Sequence, residues 1–493
     1  MIKELMMGKQ LNFFLINIFL LGSLFFSGCA TNPVTGKQDF ALMSEAQEIS
    51  IGKQNHQQVM KQYRPYNDPA LQSYVEDIVE ELGNKSHRSH LVYHVTVLDS
   101  PQVNAFALPG GYLYITRGIM VYMNSEAELA GVLGHELGHI TARHGVRQHA
   151  TGTVAGILGA GVGILTGSSE VAQATNIGST ALIRGYGRDH ELEADRLGAE
   201  YIANVGYDPE EMINVVEILK DQEDFDKQLA KEEGREPRAY HGTFSTHPAN
   251  DARLQEVIRA ANKIQSAATR DPAREKFLKY MDGAVLGTAE QDGVLRKNKF
   301  YHSGLNLFVE FPEGWKIDNL PDRLIAAPKT GDAQLQITID DLNKRQTPKQ
   351  YLDEQFKGKI SDGQPVQTAN FQGYTGYTSL PTKSGNVPSR VAAVFHNKRI
   401  YQVLIAGKDS NALKTHDAEG LATIKSMRQL KRAERESAKP KSIKLVRAKS
   451  GDTFSKLAKV SDIENHPVEQ LRLLNGMYPD GEPKPGQLIK IVQ

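Results

Sequence analysis

The sequence predicts an α+β chain of several domains: a mainly helical domain with a small sheet, a small α+β domain, and a C-terminal βααβ module. Helical patterns with few strand patterns dominate the first half of the chain. Residues 299–430 carry the alternation of apolar residues that is typical of strands. Patterns for a strand, two helices and a second strand follow in residues 443–493. A length of 493 residues accommodates this arrangement, because domains usually have roughly 100–200 residues each.

The composition is ordinary for a soluble globular protein, with 40% apolar and 24% charged residues. Lysine plus arginine and aspartate plus glutamate both number 58, so the formal net charge is zero. A chain without a basic excess has no overall electrostatic attraction for nucleic acid. We therefore expect no nucleic-acid partner.

The N-terminus has the three parts of a secretory signal. Lys3 and Lys9 supply the basic part, an apolar run extends from Leu11 to Phe26, and the small pair Ser27-Gly28 precedes Cys29. At about 16 residues, the run is shorter than the roughly 20 residues of a membrane-spanning helix. Cys29 is the only cysteine, so an intrachain disulfide is excluded.

The segment from Leu24 to Cys29 resembles a bacterial lipobox, in which the cysteine becomes the lipidated first residue of the mature protein. The resemblance implies that residues 1–28 are a lipoprotein signal peptide and that a lipid at Cys29 anchors the chain to a membrane. Ala30 after the cysteine implies a periplasmic location at the outer membrane of a Gram-negative bacterium. Plain secretion and an uncleaved anchor are the alternatives.

Residues 29–268 predict the mainly helical domain. Ser44-Glu45-Ala46-Gln47 has the spacing of a capping box, and a helical pattern continues from it to about Tyr63. The apolar, glycine-rich segment Thr151–Gly167 predicts a buried helix or loop near the active site, or alternatively contact with a membrane surface. The other predicted elements are a helix over Leu71–Leu82, a strand over Leu91–Leu98, two strand-like pieces at Asn104–Leu108 and Tyr112–Thr116 around Gly110-Gly111, a helix from Glu126 to about His149, and a helix from Tyr186 to about Asn204.

Residues 299–430 predict the small α+β domain, after a connecting segment of residues 269–298. No residues in it have the spacing of metal ligands, so its role is unknown. The charged residues 431–442, which include Pro440, are interpreted as a solvated linker. The predicted elements are an alternating strand at Ala333, Leu335, Ile337 and Ile339, a hairpin of Val391–Phe395 and Ile400–Ile405, and helices near Pro348–Phe356 and Ala418–Ser426.

The segment His135-Glu136-Leu137-Gly138-His139 carries the predicted chemistry. On a helix, residues i and i+4 lie on one face, so the two imidazoles can reach one Zn²⁺. Glu136 lies beside them, where a general base acts on water. The alternative is a helix that bears two unrelated surface histidines. His144 and His149 extend this helix and are interpreted as packing or surface residues, the first pointing away from the zinc-binding face.

A zinc site of this kind requires a third protein ligand from elsewhere in the chain. Glu191 and Asp195 are also i and i+4 on a predicted helix. Glu191 is therefore the candidate third ligand, and Asp195 is the candidate acceptor of a hydrogen bond from a ligand histidine. Taken alone, such an acidic helix is most often a solvated surface.

These two motifs resemble the HtpX/BepA-like family of zinc metallopeptidases, which includes the CAAX prenyl protease. The resemblance extends from Ser44 to about Leu254 and includes Asn104–Gly111 and Thr246-His247-Pro248. It implies a gluzincin-type zincin fold. It also implies that the segment before Gly110 is an edge strand that pairs with an extended peptide substrate.

The same resemblance implies the roles of individual residues. One Zn²⁺ per chain would be held by His135, His139 and Glu191, with Glu136 as the catalytic base. His247 would lie near the metal, where it stabilises the oxyanion or caps the zinc in a latent state. The alternative for His247 is an ordinary His-Pro loop.

The C-terminus, Ile443 to Val492, resembles a LysM module. Three pieces carry the resemblance: Ser450-Gly451-Asp452-Thr453, Leu474-Asn475-Gly476, and the segment from Lys484 to Ile491. It implies binding of glycans that contain N-acetylglucosamine, and hence of peptidoglycan. The alternative is a module that only docks on its neighbours.

The sequence therefore predicts a zinc-dependent endopeptidase that hydrolyses peptide bonds in envelope proteins, as protein quality control at the periplasmic face of the outer membrane. One alternative is a peptidoglycan-tethered chaperone or scaffold for envelope assembly, with a latent or structural zinc site. Another is a cell-wall hydrolase. Glu136 favours the endopeptidase, because a purely structural zinc site does not need a base.

Overall fold

The computed structural model describes residues 29–36, 38–40, 43–148, 186–235, 237, 251–264, 269–320, 322–382 and 385–493. The predicted signal of residues 1–28, the glycine-rich segment Thr151–Gly167 and His247 lie outside these residues. No helix in the described ranges combines the length and the apolar composition that crossing a membrane requires. The chain divides into two compact units, one formed by residues up to Leu286 together with Lys441–Gln493, the other by Gly287–Pro440.

Helices and strands both occur in each unit, so the predicted α+β class is confirmed. The α-helices of the described residues are α1 Glu45–Gln62, α2 Pro69–Asn84, α3 Arg117–Met120, α4 Glu126–Thr141, α5 Arg188–Asn204, α6 Glu211–Glu233, α7 Asp251–Lys263, α8 Arg274–Met281, α9 Pro348–Gln355, α10 Ser410–Ser426, α11 Phe454–Leu457 and α12 Pro467–Leu474. The strands are β1 Cys29–Thr31, β2 Gln38–Phe40, β3 His94–Leu98, β4 Ala105–Leu108, β5 Tyr112–Thr116, β6 Val285–Leu286, β7 Val294–Arg296, β8 Lys299–His302, β9 Leu307–Glu310, β10 Lys316–Leu320, β11 Arg323–Ala327, β12 Ala333–Asp341, β13 Ser361–Gln367, β14 Gln372–Thr382, β15 Gly385–His396, β16 Arg399–Gly407, β17 Lys441–Arg447 and β18 Leu488–Val492.

Side-chain caps explain where the first helices begin. The Ser44 hydroxyl accepts a hydrogen bond from the Gln47 backbone N–H, and the Gln47 side chain accepts one from the Ser44 N–H, so the predicted capping box is confirmed. Ser125 caps α4 in a similar way, by accepting from the Glu128 N–H at 3.0 Å. Each cap satisfies a backbone N–H that has no partner within its own helix.

A three-stranded sheet has β5 at its centre, with β3 parallel to it on one side and β4 antiparallel on the other. Gly110 and Gly111 form the turn between β4 and β5 with φ of 78° and 98°, a left-handed conformation that glycine adopts without strain. The two predicted strand-like pieces are thus confirmed as a hairpin. Within this sheet β4 is an edge strand.

The helix predicted from Glu126 to about His149 is interrupted. Helix α4 ends at Thr141, two residues form a turn, and the chain is helical again at residues 144–148. Arg143 has φ of 56°, a left-handed conformation that an α-helix does not continue through. Glu48 holds Arg143 there, because its Oε2 accepts from the Arg143 Nε at 2.9 Å. The chain changes direction at Arg143, and His144 leaves the helical face on which the pattern placed it.

Small residues allow α4 and α5 to cross at close range. A Cβ at Gly138 would stand 3.1 Å from the Cα of Ala194, and a Cβ at Gly134 would stand 3.3 Å from the Cα of Gly198. Both distances are tighter than ordinary carbon contacts, so larger side chains would push the helices apart. The close crossing brings the acidic face of α5 onto the histidine face of α4.

The C-terminal module belongs to the first unit. Strand β17 pairs antiparallel with β18 on one side and with β6 on the other. Phe454, Leu471 and Ile489 of the module form one apolar cluster with Val121 and Ala284. The order of strand, two helices and strand predicted for this module is confirmed.

The second unit contains a seven-stranded antiparallel sheet with the order β10-β11-β12-β16-β15-β14-β13. The predicted hairpin is β15 and β16, joined at Asn397 and Lys398, which both have positive φ. Residues 431–442, interpreted as a solvated linker, are exposed or half-buried apart from Ala438 and contain a short 3₁₀ helix at Arg432–Glu434. Ala438 is fully buried beside Tyr301 and Phe308, so a small apolar side chain holds this segment against the unit.

Candidate metal centre

Two histidines of α4 and one glutamate of α5 converge at the helix crossing. The Nε2 atoms of His135 and His139 are 3.1 Å apart. Glu191 directs Oε2 to within 3.6 Å of the His135 Nε2, and Oε1 to within 3.6 Å of the His139 Nε2. The three residues are 6%, 2% and 1% exposed. Ligand atoms from three buried side chains therefore face one common point.

This arrangement fits a zinc ion. Ligand atoms placed tetrahedrally at about 2.0–2.1 Å from zinc stand about 3.3 Å from one another. The observed separations of 3.1, 3.6 and 3.6 Å bracket that value. Two imidazoles and one carboxylate are also the donor set of many zinc sites that leave a position open for water or substrate.

His135 is held from its other ring nitrogen by Asp195. The Nδ1 of His135 lies 2.9 Å from the Asp195 Oδ1, and the carboxylate is 1% exposed. Burial alone would lower the pKa of His135, but the carboxylates of Asp195 and Glu191 outweigh it and raise the pKa to about 10. A metal ligand must present a lone pair, so an ion bound here would compete with a proton for His135.

His139 has close contacts that the sequence did not predict. Its Nδ1 lies 2.8 Å from the Nδ1 of His144, which is fully buried. The ring of Tyr186 stacks on the His139 imidazole, with centroids 4.0 Å apart and an angle of 16° between the planes. Burial and the nearby carboxylates of Glu136 and Glu191 raise the pKa of the Tyr186 hydroxyl. Tyr186 therefore borders both the ligands and Glu136.

A small cleft, with room for about one water molecule, lies between this centre and the edge strand β4. Its lining includes Leu108 and Pro109 on the strand side and His139, Arg143 and Tyr186 on the metal side. Glu136, on α4 between the two histidines, is 2% exposed. An extended chain lying along β4 would thus pass beside the metal ligands.

The described residues place five of the predicted site residues in one region: Glu136, His135, His139, Glu191 and Asp195. His247 and the side chain of Cys29 lie outside what the structure describes. His144 was interpreted from the sequence as a packing or surface residue that points away from the metal face. His144 is buried, as a packing residue would be, but the predicted direction is wrong, because the turn at Arg143 brings its ring to His139.

The likeness of this chain to known proteins agrees with the geometry. Residues 69–261 match peptidase family M48, and residues 446–492 match the LysM domain. The chain is 28% identical over 269 residues to the Beta-barrel assembly-enhancing protease of Yersinia pestis, which covers 52% of this chain and 53% of that protein. It is 31% identical over 183 residues to the Mitochondrial metalloendopeptidase OMA1 of Arabidopsis thaliana, covering 37% of this chain and 34% of that protein.

The chain spans about half the length of the first curated relatives that it matches. Among solved structures, cyanobacterial PsbP from Synechocystis is similar with 9% identity and a TM-score of 0.23, over 28% of this chain and 96% of that chain. The PsbP likeness is too low to support an argument. The family resemblance predicted from the two helical motifs is confirmed: this chain contains a domain of peptidase family M48 and, after it, a LysM domain.

Proposed function

We propose that this protein is a zinc-dependent endopeptidase. The observation that carries the proposal is the convergence of His135, His139 and Glu191 on one point. Glu136 is buried on α4, the helix that bears the two histidines. The match of residues 69–261 to peptidase family M48 supports it independently. His135, His139 and Glu191 would hold the ion.

The chemistry divides between the metal and the chain. A bound Zn²⁺ acidifies water and polarises a peptide carbonyl. Glu136 accepts a proton from the attacking water and delivers it to the departing amine. Asp195 keeps the His135 ring oriented through its Nδ1, so that Nε2 faces Glu191, where the ion would bind. His247 is the proposed additional group near the reacting carbonyl.

We infer that the substrate binds as an extended peptide along β4. This strand has β5 on one side only within its sheet, and the cleft lined by Leu108 also reaches His139. A peptide that added a strand here would be held mainly by backbone hydrogen bonds. Such binding is tolerant of sequence, which suits a protease that acts on misfolded or stalled proteins.

The proposed location is the periplasmic face of the outer membrane, with a lipid anchor at Cys29. The lipobox-like segment before Cys29 supports the anchor, and the LysM domain supports affinity for peptidoglycan. The proposed substrates are therefore envelope proteins, and the proposed role is their quality control. Mass spectrometry of the mature N-terminus, with labelling by radioactive palmitate, tests the anchor.

The central experiment compares wild type with Glu136→Gln in zinc analysis and in hydrolysis of casein. We expect one zinc per chain in both proteins, and loss of hydrolysis in Glu136→Gln by at least about 100-fold, because the base is removed and the ligands remain. Full hydrolysis by Glu136→Gln at equal zinc content would remove the proposed mechanism. Complementation of a deletion strain by Glu136→Gln would favour the scaffold alternative instead.

A further inference from the structure

We propose that His144 is a positioning residue of the metal centre, which fixes the tautomer and the orientation of His139 through hydrogen bonds that end at Glu193. This inference rests on the proposed zinc site. It extends that site, because His144 lies outside both ligand motifs and reaches the ligand only through the turn at Arg143.

A continuous series of contacts carries the proposal. The Nδ1 atoms of His139 and His144 are 2.8 Å apart, and the Nε2 of His144 lies 3.1 Å from the Glu193 Oε2. Arg147 donates from Nη1 to the same Glu193 oxygen at 2.9 Å. His144 is fully buried, whereas Glu193 and Arg147 are partly exposed. The series thus leads from the metal face to the surface of the domain.

Only one arrangement of protons satisfies these contacts once a metal is bound. The Nε2 of His139 faces Glu191 and must present a lone pair, so its Nδ1 carries the hydrogen and donates it. The Nδ1 of His144 is then the acceptor. Its hydrogen is therefore on Nε2, which donates to the Glu193 carboxylate. Glu193 in turn is fixed by Arg147, and the whole series specifies one tautomer at each ring.

Two stacking contacts limit rotation of the same rings. Tyr186 covers the His139 imidazole at 4.0 Å between centroids. His190 covers the His144 imidazole at 4.3 Å, with 20° between the planes. A stacked ring limits the tilt of each imidazole, and the contact between the two Nδ1 atoms limits its rotation. His139 is therefore oriented before a metal ion binds.

The two ligand histidines are thus supported by different chemistry. His135 contacts a carboxylate directly, whereas His139 contacts a second imidazole and reaches the Glu193 carboxylate only through it. The centre already contains the carboxylates of Glu136, Glu191 and Asp195. An imidazole at His144 orients His139 without adding a fourth negative charge next to the ion.

The test measures zinc affinity of the full-length protein by competition with a chromophoric chelator, in His144→Leu and His144→Asn. Leucine removes the acceptor, and we expect zinc to bind roughly 10–100-fold more weakly. Asparagine places an amide oxygen near the position of the lost Nδ1, and we expect affinity within a few-fold of wild type. His190→Leu is the packing control, because it removes a stacked ring and leaves the His139–His144 contact in place.

Wild-type zinc affinity in His144→Leu would overturn the proposal, and so would equal losses in His144→Leu and His144→Asn. If His144→Leu does not fold, Glu193→Ala tests the same series at a partly exposed position. We expect a smaller loss of affinity there, with recovery in Glu193→Gln, which retains an acceptor oxygen. If wild type binds zinc and cleaves casein, and His144→Leu binds zinc as tightly as wild type, this inference is refuted and the proposed function is not. A wild type without zinc affinity would refute both this inference and the proposed function.

Discussion

A Cβ on Gly198 would stand 3.0 Å from the backbone nitrogen of His135. Glycine at this point of α5 is what allows the helix to approach α4 closely enough for Glu191 to reach both imidazoles. We expect Gly198→Val to separate the helices and weaken zinc binding by at least about 10-fold, because the third ligand is withdrawn. Isothermal titration of the metal-free protein with zinc measures the effect. Gly187→Ala is the control, since a Cβ there meets no other described atom within 4 Å.

Glu48 connects α1 to the turn that follows the metal helix. It is fully buried, and it accepts from Arg88 at 2.8 Å and from Arg143 at 2.9 Å. We expect Glu48→Gln to lower the free energy of unfolding by about 3–5 kcal/mol, because two guanidinium groups then lose their buried counter-ion. Urea denaturation followed by circular dichroism measures the change.

A matched control for Glu48 lies one turn earlier on the same helix. Glu45 pairs with Arg88 at 2.7 Å but is 45% exposed. We expect Glu45→Gln to cost no more than about 1 kcal/mol, since exposed ion pairs contribute little. If Glu48→Gln and Glu45→Gln lowered the free energy of unfolding equally, burial of Glu48 would not be what stabilises the turn.

Lys490 fixes the LysM domain to the chain just before α4. Its buried Nζ donates to the carbonyls of Val121 and Met123, each at 2.7 Å, and burial lowers its pKa. We expect Lys490→Met to destabilise the first unit by about 1–3 kcal/mol, because two buried carbonyls lose their donor. Thermal unfolding tests this, with the exposed Lys459→Met as control. Unchanged unfolding in Lys490→Met would show that the apolar cluster alone holds the module.

Glu126 at the start of α4 makes stability depend on pH. Burial opposes its ionisation, but hydrogen bonds from Lys276, Tyr207 and Tyr74 outweigh it and lower the pKa to about 2, from an ordinary value of 4.5. A carboxylate with a lowered pKa stabilises the fold above its unfolded-state value, and that contribution is lost as pH falls from about 4.5 towards 2. Wild type should therefore exceed Glu126→Gln in unfolding free energy at pH 7, with the gap narrowing below pH 4.5. A gap that is constant from pH 7 to pH 3 would contradict this.

Local patterns were sufficient to predict that His135, His139 and Glu191 come together, and to predict most elements near them. The i, i+4 spacing of His135 with His139, and of Glu191 with Asp195, depends only on helical geometry. The crossing that joins the two helices depends on Gly138 and Gly198, whose role is visible only when the neighbouring backbone is known. The position of His144 was likewise not predictable from the sequence. A positive φ at Arg143 redirects the chain there, although the helical pattern of the sequence continues without interruption.

Contacts between distant parts of the chain were the least predictable. Lys490 is the one polar residue of β18, and a lysine side chain is usually exposed to solvent. Its burial depends on carbonyl groups 369 and 367 residues earlier. Likewise, Glu48 lies in a largely polar helix, and its two arginine partners come from separate segments.

The 369-residue separation between Lys490 and Val121 also sets an order of events during synthesis. The turn that leads into the metal-binding helix is secured only after the ribosome has produced β18, when almost all of the preceding polypeptide already exists. A chain interrupted before that strand would contain His135, His139 and Glu191, yet the carbonyls of Val121 and Met123 would lack their Lys490 donor.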